Sequence, residues 1–135
     1  MRTTDGNAAI ELHDSQVERI ELQGGDCTLV LTAYVHRSQG KPGVHAGSGW
    51  SQTAHLRIMR AHLEGAAVAL PLRLATGRLT AQELQLTNLV PVPSSFTGAV
   101  RLELVGEGGE SVVVLGEVAD LVLVGDARYV DEFPG

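Results

Sequence analysis

Apolar and polar residues alternate with a period of two through most of this chain. In "CTLVLTAYVH", Cys27, Leu29, Leu31, Ala33 and Val35 fall on one side and Thr28, Val30, Thr32, Tyr34 and His36 on the other, the pattern of a strand with two unlike faces. "WSQTAHLRI" repeats it, with Trp50, Ala54, Leu56 and Ile58 opposed to Ser51, Thr53, His55 and Arg57. The two segments predict strands joined by a long glycine-rich connection. Further on, "GAVRLELVGEGGESVVVLG" predicts a hairpin turning around Gly106, Gly108 and Gly109, and "ADLVLVGDARYV" another strand. Weaker strand patterns cover Ala9 to Leu12, Val17 to Leu22, Ala66 to Leu74 and Glu83 to Leu89.

"TAQELQLTNL" alone offers helical spacing, through Leu84 and Leu89, but its flanks are β-like and a strand is expected there. Pro91 and Pro93 lack backbone donors and suit a sheet edge or a crossing. About eight short strands with glycine-marked turns give an all-β fold, an antiparallel β-sandwich or flattened barrel with little or no helix. One domain is expected over residues 1–135, with no linker, low-complexity tract or internal repeat.

No apolar run approaches the roughly 18 residues of a membrane helix. The first residues lack a secretory h-region, and a lone Cys27 closes no internal disulfide, so the expected location is cytoplasmic. Cys27 shares the apolar face of its strand, so a packing role is expected rather than a nucleophile. The net charge of −6 argues against nucleic acid as partner. That charge is unevenly spread. Cys27 to Leu63 contains no Asp or Glu and carries Arg37, Lys41, Arg57 and Arg60, hence +4, leaving −10 for the remainder.

Motif chemistry is mostly excluded. Gly40, Gly43, Gly47 and Gly49 do not have Walker spacing, G-x-G-x-x-G is missing, and the acids of "GEGGE" would repel a phosphate. "HDS" at His13 to Ser15 holds the residue types of a hydrolytic triad, but three consecutive residues do not converge, and a turn between the first two strands is expected. No H-x-H or H-E-x-x-H occurs. A metal site would have to be assembled in space from His13, His36, His45 or His55, and no metal or cofactor is expected.

The stretch "YVHRSQGKPGVHAGSGWSQTAHL" holds three of the five His, the single Lys and the single Trp. His36, Arg37, Lys41, His45 and His55 place donors around turn residues with free backbone amides, which is how proteins hold a phosphate or carboxylate. Trp50 is expected to be structural, packed with Leu56 and Ile58. A sugar-binding aromatic platform is disfavoured by the 4% aromatic content.

"YVHRSQGKPGVHAGSGWSQ" and the terminal "GDARYVDEFPG" resemble a group of small, uncharacterised bacterial proteins with Tyr-Val/Ile-His-Arg-Ser, Gly-Thr/Ser-Gly-Trp and Tyr-Val-Asp/Glu-x-Phe elements. The resemblance implies a bacterial domain and assigns no residue a role. The expected function is a non-catalytic β domain that binds a small anion or a protein partner through Tyr34–Leu56. The alternatives are a hydrolase or metal-dependent enzyme built on His13, His36 and His55 with a carboxylate, and an acidic, immunity-like protein that blocks a basic toxin.

Overall fold

The computed structural model describes residues 7–38, 40, 46–65 and 67–133. These residues form nine strands and no helix: β1 (Asn7–Gln23), β2 (Asp26–Ser38), β3 (Gly47–Met59), β4 (His62–Glu64), β5 (Leu72–Ala81), β6 (Leu84–Thr87), β7 (Leu89–Pro91), β8 (Ser94–Gly106) and β9 (Ser111–Phe133). All belong to one antiparallel sheet in the order β6-β5-β8-β9-β3-β2-β1-β7, with β4 on β9. An additional pairing of β1 with β5, Gln16 opposite Arg73 and Val17 opposite Leu72, bends the sheet into a partial ring. It is not a regular barrel.

The inward face follows the alternation. Cys27, Leu29, Leu31, Ala33 and Val35 of β2 are each at most 1% exposed, and Ala54, Leu56 and Ile58 of β3 join them. The opposite wall comes from Leu72, Leu74 and Leu79 of β5, Val100, Leu102 and Leu104 of β8, and Val112, Val114, Ala119 and Leu121 of β9. Buried Cys27 therefore packs as a small hydrophobe.

Strand boundaries differ from the expected ones in an informative way. The patterns at Ala9–Leu12 and Val17–Leu22 belong to a single strand broken by a bulge, and "HDS" lies in that bulge rather than between strands. The Val112 and Ala119 patterns likewise merge into the 23-residue β9. Of the Ala66–Leu74 pattern, the described residues 67–71 are not strand and β5 begins at Leu72; Ala66 lies outside the described residues. "TAQELQLTNL" forms the end of β5, a turn and β6. Pro91 sits in β7 at the sheet edge, where its missing donor interrupts no ladder.

Strand β1 changes partners along its length. Ala9, Ile10 and Glu11 pair with β7, whereas Gln16 and Val17 pair with β5. Asn88 makes the exchange possible. Its backbone has φ of 66°, a left-handed conformation that Asn tolerates better than most residues. Its carbonyl accepts the Leu12 N–H at 2.6 Å, its own N–H donates to the Gly77 carbonyl at 2.8 Å, and its Oδ1 accepts from Gly77 N–H at 2.9 Å and Thr76 Oγ1 at 3.1 Å. Packing also favours glycine at Gly77: a Cβ there would stand 2.7 Å from Leu12 Cδ1 and 2.9 Å from Leu104 Cδ2.

Asn88→Ala should therefore lose about 2–4 kcal/mol, from the left-handed backbone and from the Gly77 N–H left without its side-chain acceptor. Asn88→Gly keeps the backbone freedom and should lose less, about 1–3 kcal/mol. Urea unfolding of both variants measures the difference; equal stability of Asn88→Ala and wild type would refute the clamp.

Candidate functional site

Leu12 to Ser15 are the residues that the sheet cannot accommodate. Glu11 faces Tyr34 and Gln16 faces Thr32, so four residues of β1 lie opposite the single Ala33. The excess chain arches outward as a bulge. Ser15, 3% exposed, closes its base: its hydroxyl donates to the Glu11 carbonyl at 2.7 Å and accepts the Tyr34 N–H at 3.1 Å. Ser15 thus serves a backbone amide across the strand pair, and the turn expected at "HDS" is not formed.

Side chains on the outer face gather around this arch. His13 Nε2 lies 2.8 Å from Glu11 Oε1 and 3.7 Å from Asp14 Oδ2. His36 comes from β2 and meets the other Glu11 oxygen, Oε2, through its own Nε2. The Glu11 carboxylate thus stands between two imidazoles. Tyr34 lies edge-on to His36 with ring centroids 5.2 Å apart, and its hydroxyl occupies the space where a Cβ on Gly49 would be. His13 Nδ1 is buried and has no hydrogen-bond partner among the described residues, so the ring is tied through Nε2.

The protonation of the cluster follows from crowding. Burial, then a hydrogen bond and repulsion from Asp14, push the Glu11 carboxyl up to about 8 from an ordinary 4.5. Burial lowers the His36 imidazole, with the Asp14 charge working in the opposite direction and His13 with it. The Tyr34 phenol is raised by burial, then by Asp131, Glu11 and Asp14. Neither Glu11 nor Asp14 has an Arg or Lys ion-pair partner among the described residues.

Of the residues expected to bind a ligand, the structure brings His36 into this cluster. Arg37 lies beside it on the opposite face, with its guanidinium 5.9 Å from the centre of the Trp50 ring and Nη2 donating to Gln52 Oε1 at 3.1 Å. His55 is elsewhere: it pairs with Val30, six residues from His36 along β2, about 20 Å at ~3.3 Å per residue. Lys41 and His45 lie outside the described residues. Trp50 shares the face of Val35 but reaches only the margin of the core, half-buried, with Tyr129 edge-on at 5.4 Å and Nε1 donating to Ser48 at 2.8 Å.

The sequence pattern kept His13 and His36 in view, gave Asp14 only a turn role within "HDS", and did not point to Glu11. The available signal was Glu11-Leu12-His13, a strand-spaced pair of polar groups flanking an inward Leu. The positive stretch is also not isolated in space. β3 lies against acidic β9, with Arg57 opposite Asp120, Gly49 opposite Asp131 and Ser48 opposite Glu132. Arg57 in addition contacts Asp26 at 2.6 Å, and Arg60 lies 3.7 Å from Glu117.

Two measurements check this geometry. Half-buried Trp50 should show intermediate emission, and Trp50→Ala should destabilise by about 2–3 kcal/mol, less than a full core truncation; a fully exposed emission would contradict the packing. Glu11 binds a proton up to about pH 8 when folded and releases it near 4.5 when unfolded, so the folded state holds more protons in that window and stability falls as pH rises through it. His36 acts oppositely, but only below its unfolded value near 6.5. With chelator present, the unfolding midpoint should therefore fall from pH 6.5 to 8.5, and Glu11→Gln should flatten that slope. An unchanged slope in the variant would contradict the shift. Comparison of the chain with protein-family models, curated proteins and solved structures found no match.

Proposed function

We propose that this chain is a non-catalytic β domain that captures a small cationic ligand at the β1 bulge. One observation carries the reading: a carboxylate oxygen of Glu11 and one of Asp14 lie within 4.8 Å of each other and of a His13 nitrogen on the bulge, with His36 on the other Glu11 oxygen and no Arg or Lys paired to either acid among the described residues. Two carboxylates brought together in a partly desolvated place repel each other unless a proton or a cation lies between them. The geometry favours a positively charged ligand over the anion expected from the basic stretch, because that stretch is faced by the acids of β9 and by Asp26. Tyr34 and His36 remain the part of Tyr34–Leu56 that contributes to this site.

An anion at Arg37 is the second reading, favoured by the guanidinium held over the Trp50 ring. Thermal unfolding separates the two. Chelator-stripped protein is scanned with Zn2+, Mn2+, Mg2+ and spermidine, and separately with phosphate and citrate at matched ionic strength. A cation at 100 times its Kd should add about 2.7 kcal/mol to wild type, little to Glu11→Gln, and the full amount to Arg37→Ala. Stabilisation by phosphate that Arg37→Ala abolishes, with no cation effect, would replace the cation reading with the anion one.

A further inference from the structure

We infer that the ligand of the β1 bulge is a divalent first-row transition-metal ion of the Zn2+ type, held by Glu11 Oε1, His13 Nε2 and Asp14 Oδ2, with His36 clamping the second Glu11 oxygen. This names the ligand class of the cation-binding reading and rests on it.

The donor set selects the ion. Mg2+ and Ca2+ take six or more oxygen ligands, and Mg2+ holds its waters firmly, so a three-donor cluster containing nitrogen suits them poorly. Imidazole nitrogen with carboxylate oxygen is the set in which Zn2+ and its neighbours outcompete them. One ligand atom from each of these three residues lies within 4.8 Å of the others, the single such group among the described residues. Around a tetrahedral Zn2+ with bonds of about 2.0–2.2 Å, ligand atoms stand about 3.4 Å apart. The separations of His13 Nε2 from Glu11 and Asp14, 2.8 and 3.7 Å, bracket that figure. The adjustment falls on His13 and Asp14, whose side chains are 40% and 53% exposed, while Glu11 at 13% stays in place.

His36 gives the site its second layer. It is 6% exposed and comes from a different strand, and it contacts Glu11 Oε2, whereas His13 meets Oε1. An outer partner of that kind orients a ligating carboxylate. His36 is thus a positioning residue, and the three ligands leave a fourth position for water or for a donor from another molecule.

Isothermal titration of chelator-stripped protein with Zn2+, and visible d–d absorption after adding Co2+, test the assignment. Wild type should bind one equivalent of each and give the intense absorption of tetrahedral Co2+. His13→Ala and the near-isosteric Asp14→Asn should abolish that spectrum. His36→Gln should weaken Zn2+ binding by roughly 10–100-fold, the usual effect of losing an outer-layer partner, while keeping the Co2+ spectrum. His55→Ala, a histidine outside the cluster, should bind as wild type does. Circular dichroism confirms the β fold of each variant, and Asp14→Asn, at an exposed position, decides the matter should His13→Ala not fold. Absence of Co2+ absorption in folded wild type, or its loss in His55→Ala with retention in Asp14→Asn, would overturn the metal site. Should spermidine stabilise wild type through Glu11 while Zn2+ and Co2+ do not bind, the metal assignment falls and the cation reading stands; should none of them act, both fall.

Discussion

The partner change in β1 is the constraint on which the rest of the structure depends. A single strand lies beside β2 throughout, yet its other edge must serve β7 over Ala9–Glu11 and β5 over Gln16–Val17. Between these two pairings β1 leaves the regular β2 ladder, with register shifts between Glu11 and Gln16 and between Val17 and Arg19. Extra residues in one strand bend it and increase its local twist, and four residues opposite Ala33 supply the bend. Asn88 holds the inner side of the corner through the Leu12 N–H, and Ser15 holds the outer side through the Tyr34 N–H. Every backbone group that the bulge removes from the ladder and that these residues receive is one that burial would otherwise penalise.

The candidate site is a consequence of that bend. Strand alternation alone would place Glu11 and His13 side by side on the outer face, with Asp14 pointing inward beside Ile10 and Leu12 and Val17 pointing outward. The bulge lets Leu12 remain in the core at 1% exposure, resets the alternation so that Val17 also points inward, and turns Asp14 out beside His13. The crowding that raises the Glu11 carboxyl is thus imposed by the fold: burial is its largest cause and the neighbouring Asp14 the next. A charged Glu11 beside Asp14 opposes folding there unless a proton or a cation compensates it.

The sheet was legible in the sequence wherever burial on one face is complete. Cys27 to Val35 and Ala54 to Ile58 alternate without interruption, and their inward members are the core. The site was less legible, because it depends on register. His13, Asp14 and Ser15 carry turn-forming side chains, and local preference alone cannot distinguish a turn that ends a strand from a bulge within one; only the pairing of Gln16 with both Thr32 and Arg73 does so. The charge segregation was real in the sequence and is offset in space, since β9, distant in the chain, is the neighbour of β3. Trp50 shows the same limit in another form. Its face follows from alternation, but its half-buried position follows from where β9 and Tyr129 happen to lie.

Fold closure and the proposed ligand capture meet in the same few residues. The Glu11 main chain holds Ser15, whose hydroxyl ties the bulge to β2, while the Glu11 side chain stands between His13 and His36. The β1–β5 seam that the bulge permits is only two residue pairs long, so it contributes little ladder energy of its own and relies on the bend being maintained. A ligand that draws Glu11, His13 and Asp14 together binds the bent chain and not the unfolded one, and it stabilises that bend by mass action. It also relieves the repulsion that opposes the bend. On the proposed reading, occupancy of the arch and closure of the ring would be thermodynamically linked, and reciprocally so: a change that loosens the Asn88 corner would weaken the site.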